Sequence, residues 1–296
     1  MAREHQKIKG VVLLVAANGC FCLSGILVKC GLDIGPLRLA FFRFVFGAVL
    51  VGIATRSGRF KLQFNDKRLL FVRGLCGGVA IYIAFLAISK LGLGKGVLLI
   101  CCYPIFACIF SAIFLKERLG VYSMVAVIVA LTGIYFVSRD SDEPFLVLSV
   151  FGKYEIITLI GAMIGGVAVT VVRKLHDTDN SWTIYFSQCL GGLVLFAVPA
   201  LMSSWEISPS GWLIMSAIGI SATIGQLLMT QGFRYVPVRI GSLLGMLDPV
   251  LAYAAGVVIF GEGLSVGAVF GAVLVTGACC MVLACRGPAR GLSEAR

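Results

Sequence analysis

Ten apolar stretches, each long enough to cross a lipid bilayer, constrain this chain more than any other feature of its sequence. A transmembrane helix needs about 20 apolar residues, and its backbone groups must bond within the segment because lipid offers them no partners. Only 13% of the 296 residues are charged and 59% are hydrophobic, too little charge to cover a soluble surface. We therefore expect an all-α polytopic membrane protein. The predicted spans are Ile8–Val28, Leu37–Thr55, Leu69–Ser89, Gly94–Leu115, Leu119–Ser138, Glu155–Val172, Trp182–Met202, Gly211–Phe233, Arg239–Phe260 and Leu264–Ala284.

Lysine and arginine are distributed unevenly between the two sides that these spans define. Seventeen lie on the side of the N-terminus and six on the opposite side, while Arg43 and Arg73 lie within spans. Because cytoplasmic loops are enriched in Lys and Arg, we expect both termini in the cytoplasm, at the inner membrane of a bacterium. The basic N-terminus and the apolar run after it also resemble a signal peptide. That run continues to Val28, however, so we interpret it as a retained first span.

The two halves of the chain carry matched residues at a constant offset. Tyr103-Pro104 precedes Asp248-Pro249 by 145 residues, and Glu117 precedes Glu262 by the same number. Five spans in each half would insert the second copy upside down relative to the first. Inverted repeats of this kind are typical of secondary transporters, in which the two halves exchange conformations to alternate access. The predicted repeats are residues 1–148 and 149–296.

The order and spacing of several short motifs resemble the EamA repeat of the drug/metabolite transporter superfamily. This resemblance covers almost the whole chain, and it implies a ten-helix inverted-repeat bundle around a central cavity. Members of the superfamily move amino acids, nucleotide-like metabolites, sugar phosphates or drugs. Lys95 and Asp248 depart from the residues common at those positions, so the family does not name the solute. The motifs are Arg73-Gly74-Leu75, Tyr103-Pro104 and Glu117-Arg118-Leu119, echoed by Asp248-Pro249 and Gly261-Glu262-Gly263-Leu264.

Two charged residues within spans are the leading candidates for substrate binding. An ionisable side chain costs about 2.5–3.5 kcal/mol at the centre of a membrane helix, so its presence invites a functional explanation. Asp248, nine residues into its span, is suited to bind a cationic group or to couple transport to protons. Arg43 is suited to bind a carboxylate in a bidentate manner. A structural ion pair between the two, which would argue against proton coupling, is an equal alternative.

Uncharged polar residues within spans supply further candidates for the cavity wall. Amides are costly against lipid and should face the interior of the bundle. Of these we select Asn18 and Gln226, which lie well inside their spans. Tyr82 and Tyr103 offer a ring and a hydroxyl group, and Tyr103 is the repeat counterpart of Asp248. Ordinary helix packing is the alternative for the two tyrosines.

Four other residues are assigned to entrances or gates. Lys95 opens the fourth span at the predicted outer face, and Arg73 lies nearer the cytoplasmic end of the third. Glu117 and Glu262 lie at helix ends on opposite faces, where contacts could alternate during transport. A structural role at the membrane interface is the simpler alternative for each.

Enzymatic chemistry finds little support in the sequence. The two histidines lie near a terminus and in a loop, and no metalloprotease, hydrolase or P-loop motif is present. The 11 cysteines lie mostly in apolar runs without metal-ligand spacing, which favours buried small residues over disulfides or a metal site. We expect no cofactor, no metal and no nucleic-acid partner.

The sequence therefore predicts a secondary transporter that moves a small polar metabolite, such as an amino acid or a related zwitterion, by alternating access. A channel-like facilitator is the first alternative, and a membrane-embedded enzyme is a weaker one. The expected partners are the solute and the lipid bilayer. Substrate identity, direction and coupling stay open, and the protein is expected to be a monomer or a homodimer.

Overall fold

The structure is a computed structural model that describes residues 2–58, 60–103, 105–107, 109–110, 125, 128–129, 132–133, 136, 152–236, 244–245, 247–263 and 266–284. These residues include nine α-helices and a short 3₁₀ turn at Leu32–Ile34, and no strand occurs among them. The helices are α1 (Ala2–Cys30), α2 (Pro36–Arg56), α3 (Lys67–Leu91), α4 (Leu93–Ile100), α5 (Lys153–Leu175), α6 (Ser181–Leu201), α7 (Pro209–Tyr235), α8 (Leu247–Phe260) and α9 (Val266–Ala284).

Six of the described helices are long and apolar enough to cross a membrane, namely α1 from Ile8 onwards, α2, α3, α5, α6 and α7. A 21-residue helix such as α2 is about 32 Å long, which matches the roughly 30 Å hydrocarbon core of a bilayer. Leu93–Ala107, Leu247–Phe260 and Val269–Ala278 are shorter apolar helices. The chain is thus an all-helical multi-pass membrane protein. The fifth predicted span, Leu119–Ser138, lies largely outside the described residues, so the count of ten stays a prediction.

Local sequence signals set where the long helices begin. The side chains of Asp66, Asn180 and Ser208 accept hydrogen bonds from backbone N–H groups in the first turns of α3, α6 and α7. A proline in the first turn begins α2 and α7, where its missing N–H costs no hydrogen bond. Gly92, with φ of +87°, lets the chain end α3 and begin α4 without a longer loop.

The packing of the helices defines two ends of the bundle. Gly10 on α1 lies against Gly232 on α7, and Gly31 lies against Ile214, so these two helices are antiparallel. We call the end at which α1 begins the proximal end and the opposite end the distal end. α3 and α5 are likewise antiparallel, because Leu70 clusters with Leu175 and Lys90 lies over the ring of Tyr154.

The contacts between helices have counterparts when the two halves are exchanged. The offset of the matched residues maps α1 onto α5, α2 onto α6 and α3 onto α7. The contact of α1 with α7 then corresponds to that of α5 with α3, and the contact of α3 with α6 corresponds to that of α7 with α2. The contact of α2 with α6 maps onto itself, and α4 also packs against α8. These pairs surround the centre of the bundle.

Glycines bring α3 and α6 into close contact beside that centre. A Cβ atom at Gly191 would meet the backbone of Gly74, and one at Gly78 would meet the backbone of Gly192 at 2.9 Å. Small residues at such crossings let helices in a membrane approach until their backbones touch. The crossing places Arg73 of α3 beside Gln188 of α6.

Candidate functional site

A cavity of about 210 Å³ lies at the centre of the bundle. Its lining comes from both halves of the chain, and its volume is smaller than the roughly 300–1,000 Å³ of sites for drug-sized ligands. The space therefore suits one small metabolite. Its polar and sulfur-containing lining residues are Asn18, Ser24, Arg43, Arg73, Cys101, Tyr103, Gln188, Gln226, Met229 and Asp248.

Asp248 lies at the start of α8, deep in the bundle. It is 12 residues from Phe260 at the distal end of the helix, which corresponds to about 18 Å along the axis. Its carboxyl group lies beside the thiol of Cys101, the residue that follows α4, with Sγ 4.0 Å from Oδ2. Within the described part of the chain, no lysine or arginine lies within 4.0 Å of this carboxyl group. Asp248 is therefore a half-buried acid that no lysine or arginine of the described residues neutralises directly.

Arg43 on α2 faces the same cavity. Only 6% of the residue is exposed, and the guanidinium carbon lies 5.5 Å from the centre of the Phe85 ring. The ion pair with Asp248 that the sequence left open is not among those formed by the described residues. Arg43 and Asp248 thus line the same cavity without forming an ion pair with each other.

Arg73 on α3 also lines the cavity, whereas the sequence assigned it to an entrance. Its Nη2 donates a hydrogen bond of 2.5 Å to Oε1 of Gln188 on α6. Gln188 is an amide that the sequence analysis did not select, because it lies closer to the end of its span than Asn18 or Gln226. The sequence signal that could have identified Gln188 is its location, as an amide, inside an apolar helix. The structure brings both residues together at the glycine crossing of α3 and α6.

Asn18, Gln226 and Ser24 complete the polar wall. Nδ2 of Asn18 donates a hydrogen bond of 2.6 Å to the carbonyl oxygen of Leu244. Nε2 of Gln226 and Oγ of Ser24 are buried without a hydrogen-bond partner, as is Nε of Arg73. Among the described residues these are the three buried side-chain atoms without a partner, and all belong to cavity-lining residues. Buried polar groups without partners are rare, so their concentration here is typical of a binding site.

The structure separates the two selected tyrosines. Tyr103 lines the cavity, whereas the ring of Tyr82 packs on Phe196, with 4.8 Å between ring centres. The reason is helical periodicity, because Ile81 and Phe85 share the face of α3 that lines the cavity and Tyr82 is turned about 100° from Ile81. The sequence did not determine this rotation.

Lys95 and Glu262 lie at the distal end, in contacts that join the two halves. Oε1 and Oε2 of Glu262 accept hydrogen bonds of 2.6 and 2.9 Å from the backbone N–H groups of Leu93 and Gly94. Nζ of Lys29 lies 3.2 Å from Oε1 of the same carboxylate. Nζ of Lys95 lies 3.0 Å from Oε1 of Glu155. Glu117, the repeat counterpart of Glu262, lies outside the described residues.

Similar proteins place this chain in a known family. The EamA-like transporter family model matches residues 8–139 and 152–284. The pseudopaline exporter CntI of Pseudomonas aeruginosa (strain UCBPP-PA14) is 27% identical over 275 residues, which cover 91% of this chain and 94% of that protein. An uncharacterized transporter of Helicobacter pylori (strain J99) is 26% identical and covers 78% of this chain and 80% of its own. Human solute carrier family 35 member G1 is 21% identical over 81% of this chain and 69% of its own.

A solved crystal structure agrees with the fold. It superimposes with a TM-score of 0.59 and covers 95% of this chain and 96% of its own, at 18% sequence identity. Similarity at this level of identity concerns the fold alone. The family matches cover most of the chain, and the relatives are named as transporters rather than enzymes. The chain therefore belongs to the EamA-like transporter family of the drug/metabolite transporter superfamily.

Proposed function

We propose that the protein is a secondary transporter that moves a small polar metabolite carrying an amine and a carboxylate. The observation that carries this proposal is the placement of Asp248 and Arg43 in one cavity without an ion pair between them. A carboxylate in the cavity can bind an ammonium group, and a guanidinium group can bind a carboxylate with two parallel hydrogen bonds. A substrate with both groups would neutralise both side chains at once.

Alternating access is the proposed mechanism, with residues 1–148 and 149–296 as inverted five-helix repeats. The correspondence of helix contacts under exchange of the halves supports it. So does the distal end, where the ion pairs Lys29–Glu262 and Lys95–Glu155 each join one half to the other. Opening that end requires both pairs to separate, and such contacts can be remade at the opposite end in the alternative conformation.

The excess of lysine and arginine on the proximal side supports a cytoplasmic location for that end. The similarity to a protein named as an exporter, over 91% of this chain, supports outward movement of the solute. We therefore extend the proposal to export across the inner membrane of a bacterium. Coupling to a proton gradient through Asp248 is the form of energy input that this cavity offers.

Counterflow in proteoliposomes tests the proposal. The wild-type protein should accelerate exchange of amino acids or related zwitterions in a saturable manner, and exchange without saturation would favour a facilitator pore instead. Asp248→Asn should lower exchange at least tenfold, because an amide cannot compensate an ammonium charge (about 1.5–3 kcal/mol for a hydrogen bond to a charged group). Asp33→Asn, at an exposed acid outside the cavity, is the matched control and should leave exchange unchanged. Asp248 has no role in transport if its variant retains full exchange and full gradient-driven uptake.

A further inference from the structure

The cavity contains a second buried arginine that the proposed amine and carboxylate do not use. Arg73 is only 3% exposed, and it lines the same cavity as Arg43, which is 6% exposed. Two cations that repel each other in a buried site are unfavourable unless an anion joins them. Such an anion comes either from the protein or from the ligand.

The described residues provide no anion beside either arginine. No carboxylate among them lies within 4.0 Å of Arg43 or Arg73. The side chain bonded to Arg73 is the neutral amide of Gln188, and Nε of Arg73 has no hydrogen-bond partner. Gln188 therefore holds Arg73 in place, and no carboxylate of the described residues neutralises it.

The charges in the cavity decide what a ligand must bring. With Asp248 ionised, the lining holds two positive charges and one negative charge. A zwitterion leaves the excess positive charge in place, whereas a ligand with one amine and two acidic groups removes it. If Asp248 is protonated, the excess positive charge is larger, so the need for a second acidic group does not depend on its ionisation.

We propose that the transported metabolite carries a second acidic group, a carboxylate or a phosphate, and that Arg73 binds it. This inference rests on the proposed function, because the substrate must enter the cavity to reach this residue. Gln188 acts as a positioning residue through its bond to Nη2. Gly77 leaves space for the guanidinium group, since a Cβ atom there would lie 2.5 Å from Nη1. The remaining N–H groups of a guanidinium form the fork that suits a carboxylate or a phosphate.

Paired probes that differ in one acidic group test the inference. Binding to the purified full-length protein is measured for L-glutamate against L-glutamine and for O-phospho-L-serine against L-serine. The acidic member should bind about tenfold or more tightly than its neutral partner, as expected for a charge-assisted hydrogen bond. The first pair reports a second carboxylate and the second pair reports a phosphate.

Variants identify Arg73 as the origin of the preference. Arg73→Gln should remove it by weakening the acidic member while leaving the neutral member's affinity unchanged. Gln188→Glu should place a carboxylate beside Arg73, abolish the preference for the acidic member and raise thermal stability, which a merely structural bond would not predict. Arg56→Gln, at an exposed arginine on α2, is the matched control and should keep the wild-type preference.

The outcomes separate this inference from the proposed function. If wild-type protein exchanges neutral zwitterions in counterflow but neither acidic probe binds better than its partner, the second acidic group is refuted and the transporter remains. Equal loss of both members in Arg73→Gln together with an unchanged preference in Gln188→Glu also refutes it. If no amine-bearing solute exchanges at all, the proposed function fails whatever the binding data show.

Discussion

Replacing Glu262 by glutamine should weaken the closed distal end of the bundle. One carboxylate there accepts hydrogen bonds from Leu93 and Gly94 at the N-terminus of α4 and lies 3.2 Å from Nζ of Lys29 on α1. The negative charge also interacts favourably with the positive end of the α4 dipole. The three contacts together join α1, α4 and the chain that follows α8.

The size of the effect follows from these contacts. Hydrogen bonds to a charged group contribute about 1.5–3 kcal/mol and neutral ones about 0.5–1.5 kcal/mol. Glutamine keeps one acceptor oxygen, so one N–H group keeps a weaker bond and the other faces an amide donor. The ion pair with Lys29 is partly exposed and adds only about 0–1 kcal/mol. A total loss of about 2–3 kcal/mol shifts the equilibrium towards distal opening by about 30- to 150-fold.

Labelling of Cys101 measures this shift. The thiol is buried in the cavity beside Asp248, so a membrane-impermeant maleimide added from the distal side reaches it only when that end opens. Mass spectrometry of the Cys101 peptide in proteoliposomes should show faster labelling in Glu262→Gln. Glu206→Gln, at an exposed acid of the same end, should label as the wild type does. Equal rates in wild type and Glu262→Gln would refute the assignment of a closing contact to Glu262.

Three further outcomes are expected. Gly191→Ala should lower the thermal unfolding midpoint in detergent, because its Cβ atom meets the backbone of Gly74 and overpacking costs about 1–3 kcal/mol. Gly52→Ala, which points into open space, should keep or raise that midpoint, and equal behaviour of the two variants would contradict the close crossing. Tyr82→Phe should leave transport kinetics unchanged, since its ring packs away from the cavity. Burial lowers the pKa of His176 below its ordinary 6.5, so the unfolded chain binds the proton more readily and stability should fall as the pH decreases below 6.5. His176→Asn should flatten that part of a stability profile against pH, and an unchanged profile would contradict it.

Hydropathy predicted the ends of the long helices to within three residues, except that α1 begins at Ala2 and not at the predicted Ile8. The prediction Leu37–Thr55 compares with Pro36–Arg56, and Trp182–Met202 compares with Ser181–Leu201. The agreement has a physical basis, because a span must match the thickness of the bilayer and polar caps or proline then define its first turn. The same reasoning gave the correct class of protein before any cavity was visible.

The sequence did not determine how each helix is rotated about its axis. It therefore identified only part of the site. Polar residues inside apolar spans identified Asp248, Arg43, Asn18, Tyr103 and Gln226, all of which line the cavity. Spans that are apolar all round give no amphipathic stripe, because lipid and protein interior favour the same side chains. Selection by depth alone therefore included Tyr82, which packs on Phe196, and assigned Arg73 to an entrance although it lines the cavity.

Helix α4 connects the distal contacts to the cavity. Its N-terminus is capped by Glu262, and Cys101, which lies against Asp248, follows Leu93 by eight residues, about 12 Å along a helix axis. A substrate that binds at Asp248 only while the distal end is closed must stabilise that closed state by the same free energy that closure adds to binding. When the fraction of protein with a closed distal end falls, the apparent dissociation constant of the substrate rises by the same factor. Glu262→Gln should depopulate the state in which the distal end is closed. A substrate added from the proximal side should therefore bind more weakly, although no atom of Glu262 lines the cavity. Faster labelling of Cys101 with unchanged binding would separate the distal contacts from the site and refute the coupling through α4.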